Sequence, residues 1–125
     1  MLLAVRSVLA ALDAGAQPDR ADLAAAVRGT LKELAANAPG HAVEVRVPPW
    51  GAVQCVAGPR HTRGTPKAVV ETDPVTWVRL AAGRLDLPTA TAAGLVRASG
   101  ERSDLAAYLP LSTYGFEGGP SVALL

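Results

Sequence analysis

Cysteine is nearly absent from this sequence, because Cys55 is the only one in 125 residues. A single thiol cannot form a disulfide within the chain, and it cannot supply the several thiolates of a structural zinc site. The fold must therefore be held by packing and hydrogen bonds rather than by cross-links. Chains with so little cysteine are typical of reducing compartments, and we expect a cytoplasmic protein.

Aromatic residues and net charge are also scarce. Phe, Trp and Tyr make up 4% of the residues, and 12 basic residues against 11 acidic ones leave a formal net charge of +1. Such a chain has few side chains on which nucleobases could stack, and it has no overall field to attract a phosphate backbone. We therefore expect no nucleic acid partner.

No long hydrophobic run is present. The most apolar stretch, residues 2–12, is interrupted by Arg6 and followed by Asp13, and no basic leader precedes it. A helix that spans a bilayer needs about 20 consecutive apolar residues, and a secretory signal needs a basic start before its apolar run. We therefore expect neither a signal peptide nor stable insertion into a membrane.

Catalytic and metal-binding patterns are missing as well. The two histidines, His41 and His61, have no histidine or acidic partner at a ligand spacing, and no serine lies in a Gly-x-Ser-x-Gly turn. The phosphate-binding pattern Gly-x-x-x-x-Gly-Lys-Ser/Thr is also absent. We therefore expect a protein that is not an enzyme, with no catalytic residue, no metal site and no cofactor.

Two helices are predicted within residues 1–38. Apolar residues recur there at intervals of three and four, which places them on one face of each helix. Asp19 or Asp22 is suited to cap the start of the second helix, and a Pro-Gly pair after residue 38 ends it. The recurring residues are Leu2, Val5, Leu9 and Leu12 in the first helix, and Leu23, Val27, Leu31 and Leu34 in the second.

Downstream of these helices the period of the apolar residues changes to two. Valines alternate with charged residues over 43–47, as in a strand with one buried face. Further strands are predicted over 52–57, 67–72 and 95–99. We therefore predict an α+β fold, in which a mostly antiparallel sheet of four or five strands is covered on one face by helices.

The most basic segment is the connection over residues 58–66, which is longer than most hairpin loops. It carries Arg60, His61 and Arg63 between glycines. Guanidinium groups beside free backbone N–H groups are suited to a phosphate or a carboxylate. We therefore predict that these three residues bind an anionic head group. The alternative is a solvated turn whose arginines pair with acidic residues of the neighbouring strands.

Three glycines divide the segment after Asp73-Pro74, a pair that is typical of a helix start. Gly83 and Gly94 each follow an apolar helical pattern, as glycine does at a helix C-terminus, and Gly100 follows a short strand. Residues 104–109 add a helical turn. The apolar residues around this segment fit either an ordinary core or the wall of a cavity. They are Trp77, Leu80, Leu85, Leu95, Leu105 and Leu109.

The order of residues in this segment resembles the sterol carrier protein family. Members carry Ala-Ser/Thr-Gly-Lys/Arg-Leu-Asp-Pro, then a turn containing alanine, then Gly-Lys-Leu-x-x-x-Gly. Here residues 81–86 read Ala-Ala-Gly-Arg-Leu-Asp, and residues 94–100 read Gly-Leu-Val-Arg-Ala-Ser-Gly at the matching interval. The resemblance covers residues 67–111, and residues 41–50 with the basic connection are similar to the bacterial branch of that family.

The resemblance implies a small fold whose sheet and helices enclose an apolar tunnel for lipids. It makes the six apolar residues named above the walls of a cavity, and it makes a lipid or a fatty-acid-like small molecule the expected ligand. The basic connection occupies much of the place of a strand that the family usually has, so we expect a narrow sheet. Domains of this kind also serve as accessory parts of larger enzymes. The alternative is therefore a module that acts through protein contacts, including a homodimer.

A chain of this length forms one domain and can bury roughly two-thirds of its unfolded surface, which suffices for a core and one modest cavity. We predict helices over 1–38, the sheet and its helices over 41–111, and a loosely held tail over 112–125. The predicted function is binding or transfer of a lipid or other apolar small molecule without catalysis.

Overall fold

A computed structural model of the chain describes residues 2–58, 68–100 and 105–111. The predicted tail and most of the basic connection lie outside the described residues. In chain order the elements are α1 (Leu2–Asp13), α2 (Arg20–Asn37), β1 (Val43–Val47), β2 (Gly51–Cys55), β3 (Ala68–Thr72), α3 (Pro74–Ala81), α4 (Leu87–Ala92), β4 (Val96–Gly100) and a 3₁₀ turn over Leu105–Tyr108. The predicted α+β class is confirmed.

The four strands of the described chain form one sheet in the order β2-β1-β3-β4. β1 runs antiparallel to β2 and parallel to β3, and β3 runs antiparallel to β4. β2 returns the chain to the end where β1 begins, and β3 starts from that end beside β1. The prediction of a mostly antiparallel sheet with four or five strands is confirmed.

One face of the sheet is apolar and the other is polar. Val43, Val45 and Val47 of β1 are fully buried, whereas Glu44 is half-buried and Arg46 is exposed. The strand register carries this alternation across the sheet, since partners in neighbouring strands share a face. The residues that continue the buried face in the other strands are Cys55, Ala68, Val70, Thr72 and Val96.

The helices pack on this buried face. α2 contacts β2 and α3, and α1 contacts α2 and α3. Within the core, the buried indole N–H of Trp77 donates a hydrogen bond of 2.8 Å to the hydroxyl of Thr30, and that hydroxyl donates to the carbonyl of Ala26 at 2.6 Å. This pairing satisfies two polar groups that would be costly to bury alone. The core residues supplied by the helices include Val5, Val8, Leu31, Leu34, Trp77 and Leu80.

α3 and α4 are built as two similar capped helices. Asp73 accepts a hydrogen bond of 3.0 Å from the backbone N–H of Thr76, and Asp86 accepts one of 2.7 Å from that of Thr89. Each helix is followed, two residues after its last residue, by a glycine in the left-handed conformation. These are Gly83 and Gly94, whose φ angles are 80° and 78°. Each of these two ends has the hydrogen bonds of a Schellman motif. The prediction that both glycines cap a helix is confirmed.

Several strand boundaries differ from the prediction by one or two residues, and two of them have a local reason. β2 ends at Cys55 rather than at residue 57, because Val56 has a φ of 66° and its N–H donates at 2.6 Å to the carbonyl of Ala38. β4 begins at Val96 rather than at residue 95, because the N–H of Leu95 donates to the carbonyl of Ala90 in the cap of α4. In both cases the backbone N–H group donates to a carbonyl outside the sheet, so it is not available for pairing with a neighbouring strand.

Candidate functional site

The buried face of the sheet is incompletely covered at its β4 edge. β4 contacts α4, a helix of six residues, and a groove of about 580 Å³ lies beside them. The exposure of Ala98 and Gly100, on the same face as buried Val96, shows where the helical layer stops. The sheet contributes Ala68, Val70, Val96, Ala98, Ser99 and Gly100 to the groove.

The opposite wall comes from α4 and the 3₁₀ turn. Leu87 and Pro88 lie at the start of α4, Thr91 lies one turn further along, and Ala106 lies in the 3₁₀ turn. The Thr91 hydroxyl donates a hydrogen bond of 2.8 Å to the carbonyl of Leu87, so its proton is already used within the helix. This wall therefore presents mainly hydrocarbon to the groove.

The described lining of the groove is apolar and uncharged. Of the residues that the structure describes, none with a charged side chain lines it, and the side-chain hydroxyl in its wall is that of Thr91, since Ser99 lies on the opposite face of the sheet from Ala98. A site of this kind binds by removing apolar surface from water. The arrangement suits a neutral apolar ligand or the alkyl portion of an amphipathic one.

A second cleft, of about 540 Å³, lies at the ends of β1 and β3 and is lined in part by Leu95. Its charged and polar groups already have partners: Arg97 forms an ion pair of 3.2 Å with Glu71, and the Thr72 hydroxyl donates at 2.7 Å to the carbonyl of Leu95. Its Asp73 carboxylate caps α3. The groove beside α4 is therefore the better candidate for an apolar ligand.

The six apolar residues predicted to line a cavity do not line this groove. Trp77, Leu80 and Leu105 are buried in the core, and Leu85 and Leu109 pack against it while partly buried. Leu95 is separate from them, with 44% of its surface exposed. The structure therefore brings five of the six together around one core, and the role in ligand binding predicted for the set stays a prediction.

The predicted anion-binding residues, Arg60, His61 and Arg63, lie outside the described residues. Their contact with an anionic head group therefore stays a prediction. Of the acidic residues that flank the basic connection, Glu44 is paired with Arg46 at 2.6 Å and Glu71 is paired with Arg97.

Other reactive groups are sparse in the described part of the chain. Burial raises the pKa of the Cys55 thiol to about 11, so the side chain is a neutral thiol near neutral pH. Residues 2–58, 68–100 and 105–111 hold no group of three or more His, Cys, Asp or Glu side chains placed to bind a metal ion. The helices in these ranges are too short or too polar to cross a membrane.

Sequence reasoning missed the small residues that form the groove. Ala98 and Gly100 carry little hydrophobic signal, and a groove over them depends on what covers the strand. A weak signal was present in the period-two spacing of Ala68 with Val70 and of Val96 with Ala98, which places these residues on one face of two strands.

Comparison with known families matches most of the chain. The model of a family described as bacterial SCP ortholog matches residues 19–111, which include β1 to β4, α2 to α4 and the 3₁₀ turn. No curated protein matches the chain.

Proposed function

Because the chain belongs to the family of bacterial SCP orthologs, we propose that it binds a lipid or other apolar small molecule in the groove between α4 and β4. The observation that carries this proposal is the lining of the groove, which combines a concave shape with a wall that, in its described residues, is uncharged and mostly hydrocarbon. The volume of about 580 Å³ lies within the range of small-molecule sites.

The expected affinity is modest. Burying ten methylene groups contributes about 8 kcal/mol, at about 0.8 kcal/mol for each group. Loss of translational and rotational freedom opposes this by at least about 4 kcal/mol. The remaining free energy of at most about 4 kcal/mol corresponds to a dissociation constant of about 1 mM or weaker. Each further buried methylene group of a longer chain adds about 0.8 kcal/mol, so micromolar binding needs about fifteen buried groups.

We propose binding or transfer rather than catalysis, in a reducing compartment. Among the described residues, the side chains that line the groove supply the Thr91 hydroxyl and no general base, and the described thiol, Cys55, is buried and unpaired. An apolar wall of this kind can hold a ligand, but these residues offer no group that would take a proton from it.

Binding of a long-chain fluorescent fatty acid, displaced by its unlabelled form, tests the proposal. Ala98 is exposed at the groove, so Ala98→Phe should fill the groove and weaken binding at least about tenfold, because the phenyl ring takes the place of the alkyl chain. Ala52→Phe is the matched control. Ala52 is also exposed on a strand, but it lies on the opposite face of the sheet.

Two results would contradict the proposal. One is the absence of saturable binding up to the solubility limit of the fatty acid. The other is equal affinity in the wild type and in Ala98→Phe, with circular dichroism showing that the variant is folded. The second result would leave room for binding elsewhere on the protein but not in this groove.

A further inference from the structure

β4 lies at the edge of the sheet. In the described chain it pairs with β3 on one side, and the other side has no strand partner. Residues 97–100 of β4 are exposed. An edge strand presents a row of backbone N–H and C=O groups that can pair with another strand.

The sequence of β4 does little to prevent such pairing. Natural edge strands are often protected by proline, by lysine or by a charge that points inward. Val96–Gly100 reads Val-Arg-Ala-Ser-Gly and contains neither proline nor lysine. Its one charged residue, Arg97, pairs in register with Glu71 on the polar face. In residues 2–58, 68–100 and 105–111, no strand covers the edge next to the groove.

The groove and this edge of the sheet are adjacent. A strand added to β4 would lie about 4.8 Å from it, and every second side chain would point to the side on which Ala98 lies. That side is the groove. Such side chains would extend the apolar face of the sheet and meet the wall formed by Leu87 and Pro88.

We propose that β4 binds an extended segment of a partner protein, by addition of one strand to the sheet, with large apolar side chains of that segment seated in the groove. This proposal uses the same groove as the proposed lipid site, and it differs in requiring a peptide backbone that pairs with β4. Recognition of this kind takes affinity from main-chain hydrogen bonds and specificity from pockets for alternate side chains.

A second copy of the same chain fits the groove less well. If two β4 strands paired, the copy would present Val96, Ala98 and Gly100 on the groove side. One valine, one methyl group and one hydrogen would leave most of a groove of about 580 Å³ unfilled. Unfilled space forfeits the packing contacts that stabilise an interface. The partner segment should therefore carry leucine, valine or similar side chains at alternate positions.

The positive charge of Arg97, on the polar face of β4, restricts which residues the partner segment should carry. The Arg97 side chain is 84% exposed and donates to Glu71 at 3.2 Å, so its other N–H groups can donate to a second carboxylate beside it. Opposite charges on neighbouring strands are favourable, and like charges are unfavourable. The partner segment should therefore carry an acidic residue, rather than a basic one, on its polar face near Arg97.

A synthetic peptide tests this proposal. The probe is the acetylated and amidated peptide Thr-Leu-Glu-Leu-Thr-Val-Thr, with binding to the full chain measured by calorimetry and β4 followed by amide hydrogen exchange. We expect saturable binding with slower exchange over residues 96–100. Replacing the glutamate of the peptide by lysine should weaken binding about two- to fivefold. In the Arg97→Glu variant, the lysine peptide should bind more tightly than the glutamate peptide. Arg28→Glu, a change at an exposed residue of α2, should leave the preference for the glutamate peptide unaltered.

Backbone pairing is tested with two N-methylated peptides. Each carries methyl groups on alternate amides, so that one of them blocks the N–H groups that face β4 and the other does not. We expect the peptide methylated on the amides that face β4 to lose binding, and the peptide methylated on the other amides to retain it. Ala98→Phe should also weaken the parent peptide, and circular dichroism checks that each variant is folded.

Several outcomes would overturn the proposal. They are the absence of peptide binding up to about 1 mM, equal binding of both N-methylated peptides, and binding without protection of residues 96–100. Sedimentation that shows a dimer with protected β4 would assign the edge to a second copy instead. Failure of peptide binding together with saturable binding of the fatty acid would leave the proposed function intact.

Discussion

At Gly40 the backbone of the chain touches the backbone beyond β2. Gly40 has a φ of 147°, and a Cβ atom placed there would lie 2.2 Å from the carbonyl oxygen of Val56. The same carbonyl accepts a hydrogen bond from Ala42, and the N–H of Val56 donates to Ala38. Val56 itself has a φ of 66°, which is rare for a β-branched residue. Gly40 therefore permits the contact that joins the end of α2 to the end of β2.

Gly40→Ala should destabilise the protein far more than Gly94→Ala. Gly94 has a φ of 78° with no atom within 4 Å of an added Cβ, so alanine there should cost about 1 kcal/mol for the backbone conformation alone. Gly40→Ala adds an overlap with backbone atoms that cannot move aside. Chemical denaturation of both variants measures the two losses. Equal losses would show that the contact between Gly40 and Val56 is looser than described.

Capping interactions at the ends of the helices contribute to the stability of this protein, and the start of α4 shows this most clearly. Hydrogen bonds from the side chain and the backbone of Thr89 lower the pKa of Asp86 below its ordinary value of 3.8. A depressed pKa means that the folded state favours the carboxylate. The stability that this adds is fully present above pH 3.8, and it is lost as the pH falls through the lower pKa of the folded state.

Asp86→Asn should therefore change the pH dependence of unfolding. The free energy of unfolding of the wild type should exceed that of the variant at neutral pH, and the difference should shrink at acidic pH, where Asp86 becomes protonated. Thr89→Val removes the side-chain hydrogen bond and should move this change to higher pH. Urea titrations at a series of pH values provide the measurement. A difference that is constant down to the acid limit would exclude this role for Asp86.

For the molecule as a whole, the core extends beyond the residues that the family match covers. α1 precedes the match, yet Val5 and Val8 are fully buried and Leu9 is 4% exposed. A hydrogen bond of 2.7 Å from Ser7 to Asp22 and an ion pair of 3.0 Å between Asp13 and Arg84 fix the helix at its middle and its end. α1 is therefore part of the same core as the sheet.

Val8→Ala should lower the free energy of unfolding by about 2 kcal/mol, because it removes two buried methyl groups and leaves a cavity. Leu3→Ala is the control within the same helix. Leu3 is 79% exposed, and its substitution should change stability by less than about 0.5 kcal/mol. Thermal unfolding of both variants distinguishes them. If Val8→Ala were as mild as Leu3→Ala, α1 would not share the core.

The sequence alone determined the local features of this protein. Apolar intervals of three and four identified the first two helices, and a period of two identified the buried face of β1. Asp73-Pro74 identified the start of α3, and Gly83 and Gly94 identified the ends of α3 and α4. The pattern around Gly83 and Gly94 also identified the family. These features could be predicted because each depends on residues within about one turn of helix or one strand.

Tertiary structure decided where the groove lies and what Trp77 does. Trp77 is directed into the core by a hydrogen bond to Thr30, which is 47 residues away in the chain. The groove exists because the sheet order places β4 at an edge, under a helix too short to cover Ala98 and Gly100. Neither fact is encoded locally, since contact between distant segments depends on how whole elements pack, and small residues mark a groove only when their neighbours leave space above them.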